Sequence, residues 1–337
     1  MTQTSPTPVK LGLLLGLISL AVCLAMAEIA LRIVGFSYQL FPEKIEFGYP
    51  DFKTMEARYI EDPDLFWTPQ KYQERVAKLI AKPPDVLFMG DSCTEFGTYD
   101  REMRSLFKKN YPDRKPKLSR LGVAGWASYQ GRRQMERDVA RIKPKVATIY
   151  YGWNDHWIGF GIEDKNVSRF HSPFWIVLNK LRLAQLGIKA WFSIGKQQRS
   201  DIPQRVSLED YKDNLLHMVK TARENGIVPV LITAPTNQRP GNEPAYLQGR
   251  FLANLKDLVP LHQAYIAQVR AVAAETGAPL CDLYNDFAAL PQRDQDLKYF
   301  KNSGIHLLPE GNQMTGRFLY KCFEREGLLE KIVSAAH

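Results

Sequence analysis

The chain is poor in the residues that build metal centres. Only four of its 337 residues are cysteine, at Cys23, Cys93, Cys281 and Cys322. No two of them stand at a paired spacing, so no metal site is implied. Long blocks of like charge are missing as well. Lysine and arginine number 45 against 36 acidic residues, a formal net charge of +9. The basic residues are scattered as short doublets, Lys108-Lys109, Arg114-Lys115 and Arg132-Arg133. With no zinc spacing and no other nucleic-acid motif, no nucleic-acid partner is expected. The surplus charge favours anionic surfaces such as phospholipid heads or acidic glycans only in a general way. The biased compositions of disordered and fibrous chains are also absent, since 45% of residues are apolar and 24% charged, an ordinary globular balance. The length suffices for one sizeable α/β domain with additions.

Long apolar runs are absent with one exception. Leu11 to Ala27 is almost wholly apolar before Glu28 and Arg32 interrupt it, and it is about long enough to span a bilayer. The expectation is a single membrane anchor with its amino end in the cytoplasm. A cleaved signal peptide is the first alternative, because Ala25-Met26-Ala27 matches the small-residue cleavage pattern. A buried core helix is the second. Lys10 before the run and Arg32 after it orient the segment only weakly. Val22 before Cys23 argues against a lipoprotein site. Both the anchor and the signal place the rest of the chain outside the cytoplasm, which is the periplasm in a Gram-negative envelope.

Three regions follow from composition: the N-terminal segment 1–36, a connector 37–84 and a domain 85–337. The connector holds Tyr38, Phe41, Pro42, Tyr49, Pro50, Phe66, Trp67 and Pro69. So many aromatics argue against a loose tether and predict an extended strap packed on the following domain. From 85 onward short apolar runs alternate with helical patterns. Strands are predicted at 86–89, 117–121, 146–151, 228–233 and 279–283, and helices at 101–111, 129–142, 208–225, 261–276 and 309–325. Gly226 and Gly277 close two of these helices, and Pro309 opens the last. Such alternation predicts a parallel sheet with helices on both faces. Cys281 and Cys322 fall near a predicted strand and a predicted helix; they are expected as free buried thiols, with a disulfide as the alternative outside the cytoplasm. Residues 156–206 exceed the minimal pattern. Within them 174–192 is apolar with Lys180, Arg182 and Lys189 interleaved. A helical insertion packed on the core, a lid and a membrane-surface helix are all open readings.

The chemistry starts at Gly90-Asp91-Ser92, where the run Val86 to Met89 ends. In open α/β sheets ligands bind beyond the carboxyl ends of the strands, and a serine there stands exposed on a sharp turn. Three later stretches join it: Gly122-Val123-Ala124-Gly125, Gly152-Trp153-Asn154-Asp155 and Gly304-Ile305-His306-Leu307-Leu308-Pro309. In this order they resemble the four blocks of the SGNH (GDSL) hydrolases, over roughly residues 85 to 325. The resemblance implies a three-layer α/β/α fold with a central parallel sheet of flavodoxin-like type, plus the N-terminal transmembrane or signal helix.

It also implies roles. Ser92 is the expected nucleophile and His306 the base that activates it. The oxyanion donors carried over are the Ser92 N–H, the Gly125 N–H and the Asn154 side-chain amide; Gly122 is the neighbour of Gly125 that reads as a turn. Asp91 and Asp155 are expected to hold loops by hydrogen bonds. One position departs from the family pattern. The aspartate three residues before the histidine is Ser303 here, and loss of such an acid in a serine protease lowers turnover by about 10⁴. The orienter of His306 is then Ser303 or a backbone carbonyl, or Asp282 or Asp286, unless the protein is a weakened member. The resulting expectation is an acyl-ester hydrolase of the esterase or deacetylase type. It needs no cofactor or metal, meets the membrane through its N-terminal helix and acts outside the cytoplasm on an O-acylated glycan or lipid ester. A polysaccharide O-acyltransferase and a non-catalytic glycan-binding or assembly protein are the alternatives.

Overall fold

The computed structural model describes residues 8–37, 58–158, 163–167, 180–198, 203–247 and 251–334. They fall into two units, one formed by residues 1–41 with 169–200 and the other by 42–168 with 201–337.

In the larger unit the predicted runs at 86–89, 146–151 and 228–233 become strands because each is short, largely buried and rich in β-branched or aromatic residues, while those at 117–121 and 279–283 form only short edge strands. A hairpin comes first, β1 Tyr59–Asp62 and β2 Phe66–Pro69, paired antiparallel. The sheet follows with β3 Val86–Gly90, β4 Leu118–Arg120, β5 Val146–Tyr150, β6 Val228–Ile232 and β7 Leu280–Cys281. Its order is β4-β3-β5-β6-β7, and every pairing is parallel. Counted from β3, that is the 2-1-3-4-5 order of doubly wound flavodoxin-like sheets. Both β3 and β5 are buried along their whole length, as strands covered on both faces must be. Helices Tyr99–Asn110 and Pro309–Arg325 pack together, and helix Leu208–Glu224 packs against Ser128–Gln134 and Leu258–Thr276. The strand order reverses at β3, so the crevice beyond the carboxyl end of β3 is where this topology opens a site.

The connector is more structured than a strap. Besides the β1–β2 hairpin it carries the helix Tyr72–Ala81. Phe66 and Trp67 are fully buried; burying aromatics of this size is what fixes the segment. Tyr38, Phe41, Pro42, Tyr49 and Pro50 lie outside the described residues.

One expectation is corrected. Cys281 and Cys322 form a disulfide and are not free thiols. The short β7 brings Cys281 alongside the last long helix, with the two Cα atoms 5.5 Å apart, inside the range a bridge requires. The loop it closes spans a sequence separation of 41, for which chain entropy gives about 4 kcal/mol of stabilisation.

In the smaller unit the apolar run lies within the helix Pro8–Ile33, 26 residues long, roughly 39 Å at 1.5 Å per residue. That exceeds the roughly 30 Å hydrocarbon core of a bilayer. Leu13 and Leu17 are 64% and 63% exposed, so the reading of a buried core helix is overturned. The insertion supplies the helix Arg182–Gln198. It packs against Pro8–Ile33. The Glu28 carboxylate accepts the N–H groups of Arg182 and Leu183 at 3.0 and 2.9 Å, filling two donors that every helix start leaves open. Arg32 donates to Glu28 and to the Lys180 carbonyl. The two residues that interrupt the apolar run are thus the ones that hold the second helix. Residues 159–162 and 168–179 of the insertion lie outside the described residues.

Candidate active site

At the end of β3 the chain turns directly into the short helix Ser92–Glu95. Asp91 caps it, its carboxylate accepting the Cys93 N–H at 2.8 Å. This capping preference is ordinary for aspartate, but here the carboxyl is buried, and desolvation pushes its pKa up to about 6. The register pairs Gly90 with Tyr150. Ser92 therefore comes level with Gly152-Trp153-Asn154 at the end of β5.

The loop carrying Gly125 is braced from three directions. Gly125 itself is left-handed, with φ +80°, a conformation that glycine enters without strain. Gly122, by contrast, is needed for room: a Cβ there would stand 2.6 Å from Thr94 and 2.9 Å from the Asp91 carbonyl. From the insertion, Arg205 donates to the Gly125 carbonyl at 2.7 Å. Arg205 is itself paired with Asp164 at 2.8 Å, both side chains fully buried. From the hairpin, the Trp67 indole donates to the Ala124 carbonyl at 3.1 Å, and the Trp126 indole donates back to the Trp67 carbonyl at 3.0 Å. From the Ser92 helix, Glu95 accepts the Ala124 N–H and the Tyr59 hydroxyl. Burial raises the Glu95 carboxyl. With its neighbours tied, Gly125 keeps its own N–H, and neither it nor the Ser92 N–H finds a backbone acceptor among the described residues.

Asn154 is buried beside them. Its amide donates to the Trp126 carbonyl at 3.0 Å and to Asp91 at 3.3 Å. Asp155 accepts the Ser128 N–H at 2.9 Å. Its other carboxylate oxygen is buried without a partner, and desolvation lifts its pKa to about 7. Both aspartates of the motifs thus hold loops.

His306 reaches in from the opposite wall. Its Nε2 lies 2.9 Å from Ser92 Oγ. The loop behind it is closed by the Phe300–Leu307 bridge and by the Lys301 N–H donating to the His306 carbonyl at 2.8 Å. Ser303 Oγ accepts the backbone N–H groups of Ile305 and His306, at 3.3 and 3.5 Å, and makes no bond to the ring. Asp282 is held elsewhere, by Thr233 at 2.8 Å and Arg270 at 2.8 Å, and caps the helix Leu283–Ala288. Asp286, on that helix, is raised by burial and then by the charge of Asp282. Among the described residues no carboxylate bonds the His306 imidazole. The charge that acts on it is Lys301: burial first and that ammonium second hold the His306 pKa below its ordinary value.

Ser92 and His306 share a cavity of about 200 Å³ with Cys93, Phe96, Lys301 and Leu307 among its walls. Among the described residues no cluster of His, Cys, Asp or Glu is arranged to hold a metal. Sequence reasoning pointed to Ser92, His306, Gly125 and Asn154; the fold brings Ser92 and His306 to one cavity and sets Asn154 against Asp91 and the carbonyl of Trp126, the residue after Gly125. It did not find Arg205, Asp164, Glu95 or Trp67. Arg205 sits in an insertion with no motif, so nothing local marked it. Trp67 had a weak signal, as one of many aromatics in the connector. A second pair also escaped notice: His156 Nε2 lies 3.3 Å from His262 Nδ1, and His262 Nε2 lies 2.9 Å from the Ala234 carbonyl. Burial depresses both rings, His262 to about 4, so this is a neutral core pair.

A family model described as GDSL-like lipase/acylhydrolase matches residues 88–314, well over half of the chain. No curated protein matches. Among solved structures, a GDSL-like lipase from Bacteroides thetaiotaomicron is 19% identical, with a TM-score of 0.48, covering 76% of this chain and 98% of its own. A lipase/acylhydrolase from Enterococcus faecalis is 14% identical, with a TM-score of 0.47 and coverages of 72% and 95%. An acetylxylan esterase from Geobacillus stearothermophilus is 16% identical, with a TM-score of 0.45 and coverages of 75% and 98%.

Proposed function

The chain belongs to the GDSL-like lipase/acylhydrolase family, and from that premise we propose a serine-dependent acyl-ester hydrolase with Ser92 as nucleophile and His306 as base. The observation that carries the reading is the 2.9 Å contact between Ser92 Oγ and His306 Nε2, within the reach a general base requires. Nε2 takes the hydroxyl proton as Oγ attacks the ester carbonyl. The oxyanion forms against the Ser92 and Gly125 N–H groups, which have no competing backbone acceptor among the described residues. Asn154 adds the proton held by its longer, 3.3 Å contact to Asp91. His306 then protonates the departing alcohol, leaving an acyl-serine. In the second half a water gives its proton to Nε2 as it attacks, and the acid leaves as Ser92 is restored. A sugar hydroxyl in place of that water turns the hydrolase into an O-acyltransferase; the two forms differ only in the acceptor.

The working location in this reading is outside the cytoplasm, with Pro8–Ile33 as anchor or signal. The exposed apolar length of that helix supports it, and so does the Cys281–Cys322 bridge, since disulfides persist in oxidising compartments. The substrate class is an O-acylated glycan or a lipid ester. The lack of an acid bonded to the His306 ring among the described residues favours one rival, a non-catalytic glycan-binding or assembly protein. Release of p-nitrophenol from a short-chain p-nitrophenyl ester by the full chain in detergent separates the two. Ser92→Ala and His306→Ala are each expected to lower kcat by at least about 10³-fold, as removing a member of such a unit does. Equal rates in folded wild type and Ser92→Ala would sink the hydrolase.

A further inference from the structure

Lys301, an exposed residue on the wall of the cleft, has no ion-pair partner among the described residues. Other basic residues are paired with acids: Arg239 with Asp296, Lys298 with Asp294, and Arg317 with Glu102. Lys301 makes no ion pair or side-chain hydrogen bond among the described residues, although its backbone is fixed on both sides, to the His306 carbonyl and from the Gly304 N–H. It lines the same cavity as Ser92 and His306. The other groups facing the ring are Ser92 and Cys93 from the helix after β3 and Asn312 from the last helix. None of these is charged near neutrality, the Cys93 thiol being pushed up by burial. Among the described residues that line the cavity, Lys301 is therefore the one with a fixed positive charge, and none is a carboxylate.

That arrangement works against the proposed chemistry on a neutral ester. Proton transfer from Ser92 makes an imidazolium, and an unmatched cation beside it opposes that charge. An anion seated on Lys301 removes the opposition, and its Coulombic benefit grows as the imidazolium forms. A contact that strengthens toward the transition state raises kcat as well as affinity.

We propose that Lys301 is an anion subsite and that the ester cleaved here carries its own negative group, a carboxylate or phosphate, which supplies the charge the fold leaves out beside His306. This rests on the Ser92–His306 reading. For the glycan branch of the substrate class it selects acidic sugars. The surplus of basic residues, +9 overall, draws such polymers toward the protein.

Three acetylated monosaccharides that differ only at C6 test it: a hydroxymethyl, a carboxylate and a phosphorylated hydroxymethyl. With the full chain in detergent, kcat/KM is expected to be about tenfold higher for the two charged esters, the range of a charge-assisted hydrogen bond in a half-open site. The ratio between the charged arms tells carboxylate from phosphate. Lys301→Gln should erase the preference and Lys301→Glu reverse it. On the neutral ester, Lys301→Gln should also move the acid limb of kcat/KM to higher pH, a shift that loss of packing would not produce. Binding of the same esters to Ser92→Ala, which does not turn them over, reads the preference without catalysis. Charged and neutral esters handled alike by wild type, or all three weakened equally by Lys301→Gln, would overturn the subsite. A Ser92→Ala rate equal to wild type overturns the hydrolase instead, and the binding series still judges Lys301.

Discussion

The two walls of the cleft are built to different standards. On the serine wall every group next to the Gly125 N–H is tied: its carbonyl by Arg205, Ala124 by Glu95 and Trp67, and Trp126 by Asn154. On the histidine wall the ring has Ser92 on one nitrogen and, among the described residues, no acid on the other. Its neighbour is a cation. An oxyanion hole must be preorganised, because its donors act only if they need no rearrangement as charge develops. A base can be held loosely if something else supplies its electrostatics. In the proposed mechanism, the contrast means that the site of the negative charge is braced by the fold and that the positive one is left for the substrate to complete.

The strongest way to break the contrast is Arg205→Ala. It removes the fully buried ion pair with Asp164 and takes the guanidinium donor from the Gly125 carbonyl. Breaking such a pair costs about 3–5 kcal/mol, so a large fall in the denaturation midpoint is expected, with kcat lowered more than KM is raised. Arg205→Lys should recover stability in part but not the bond geometry, since a single ammonium cannot replace a guanidinium fork. Unchanged kcat in a folded Arg205→Ala would show that the loop needs no brace.

Ser303→Asp sharpens the comparison from the other wall. It places an acid at the position where the family usually has one, and should raise kcat on a neutral ester by about tenfold, a modest part of what such acids contribute elsewhere. An unchanged or lower rate would mean that the ring is oriented well enough already. Trp67→Phe is milder. It keeps the packing but leaves the Ala124 carbonyl without its indole donor, a loss of about 1 kcal/mol, read as a several-fold lower kcat with little change in fold.

The smallest effect is in pH. Neutral imidazole is the active form of the base, so kcat/KM rises as His306 loses its proton. Burial and Lys301 hold that pKa below the ordinary 6.5, so the acid limb on a neutral ester should lie below the free-imidazole value. A limb at or above it would mean that an acid reaches the ring in solution.

The frame, and the residues proposed to react, are legible in the amino-acid order alone. Short apolar runs, three of them closed by Gly90, Gly122 and Gly152, locate the five parallel strands within a residue or two, since strand identity depends on local pattern and on the turn that follows. Gly90-Asp91-Ser92 and His306 were legible because their chemistry needs those residue types at those strand and helix ends. The Leu11–Ala27 run likewise declared a helix by length and apolarity alone. Only the tertiary structure decided what holds these groups. The Cys281–Cys322 bridge, the Arg205–Asp164 pair on Gly125, the hairpin under Ala124 and the second helix capped by Glu28 all join residues far apart in the chain. Their partners are chosen by packing, and no local spacing encodes a contact that exists only once the sheet has brought its strand ends together.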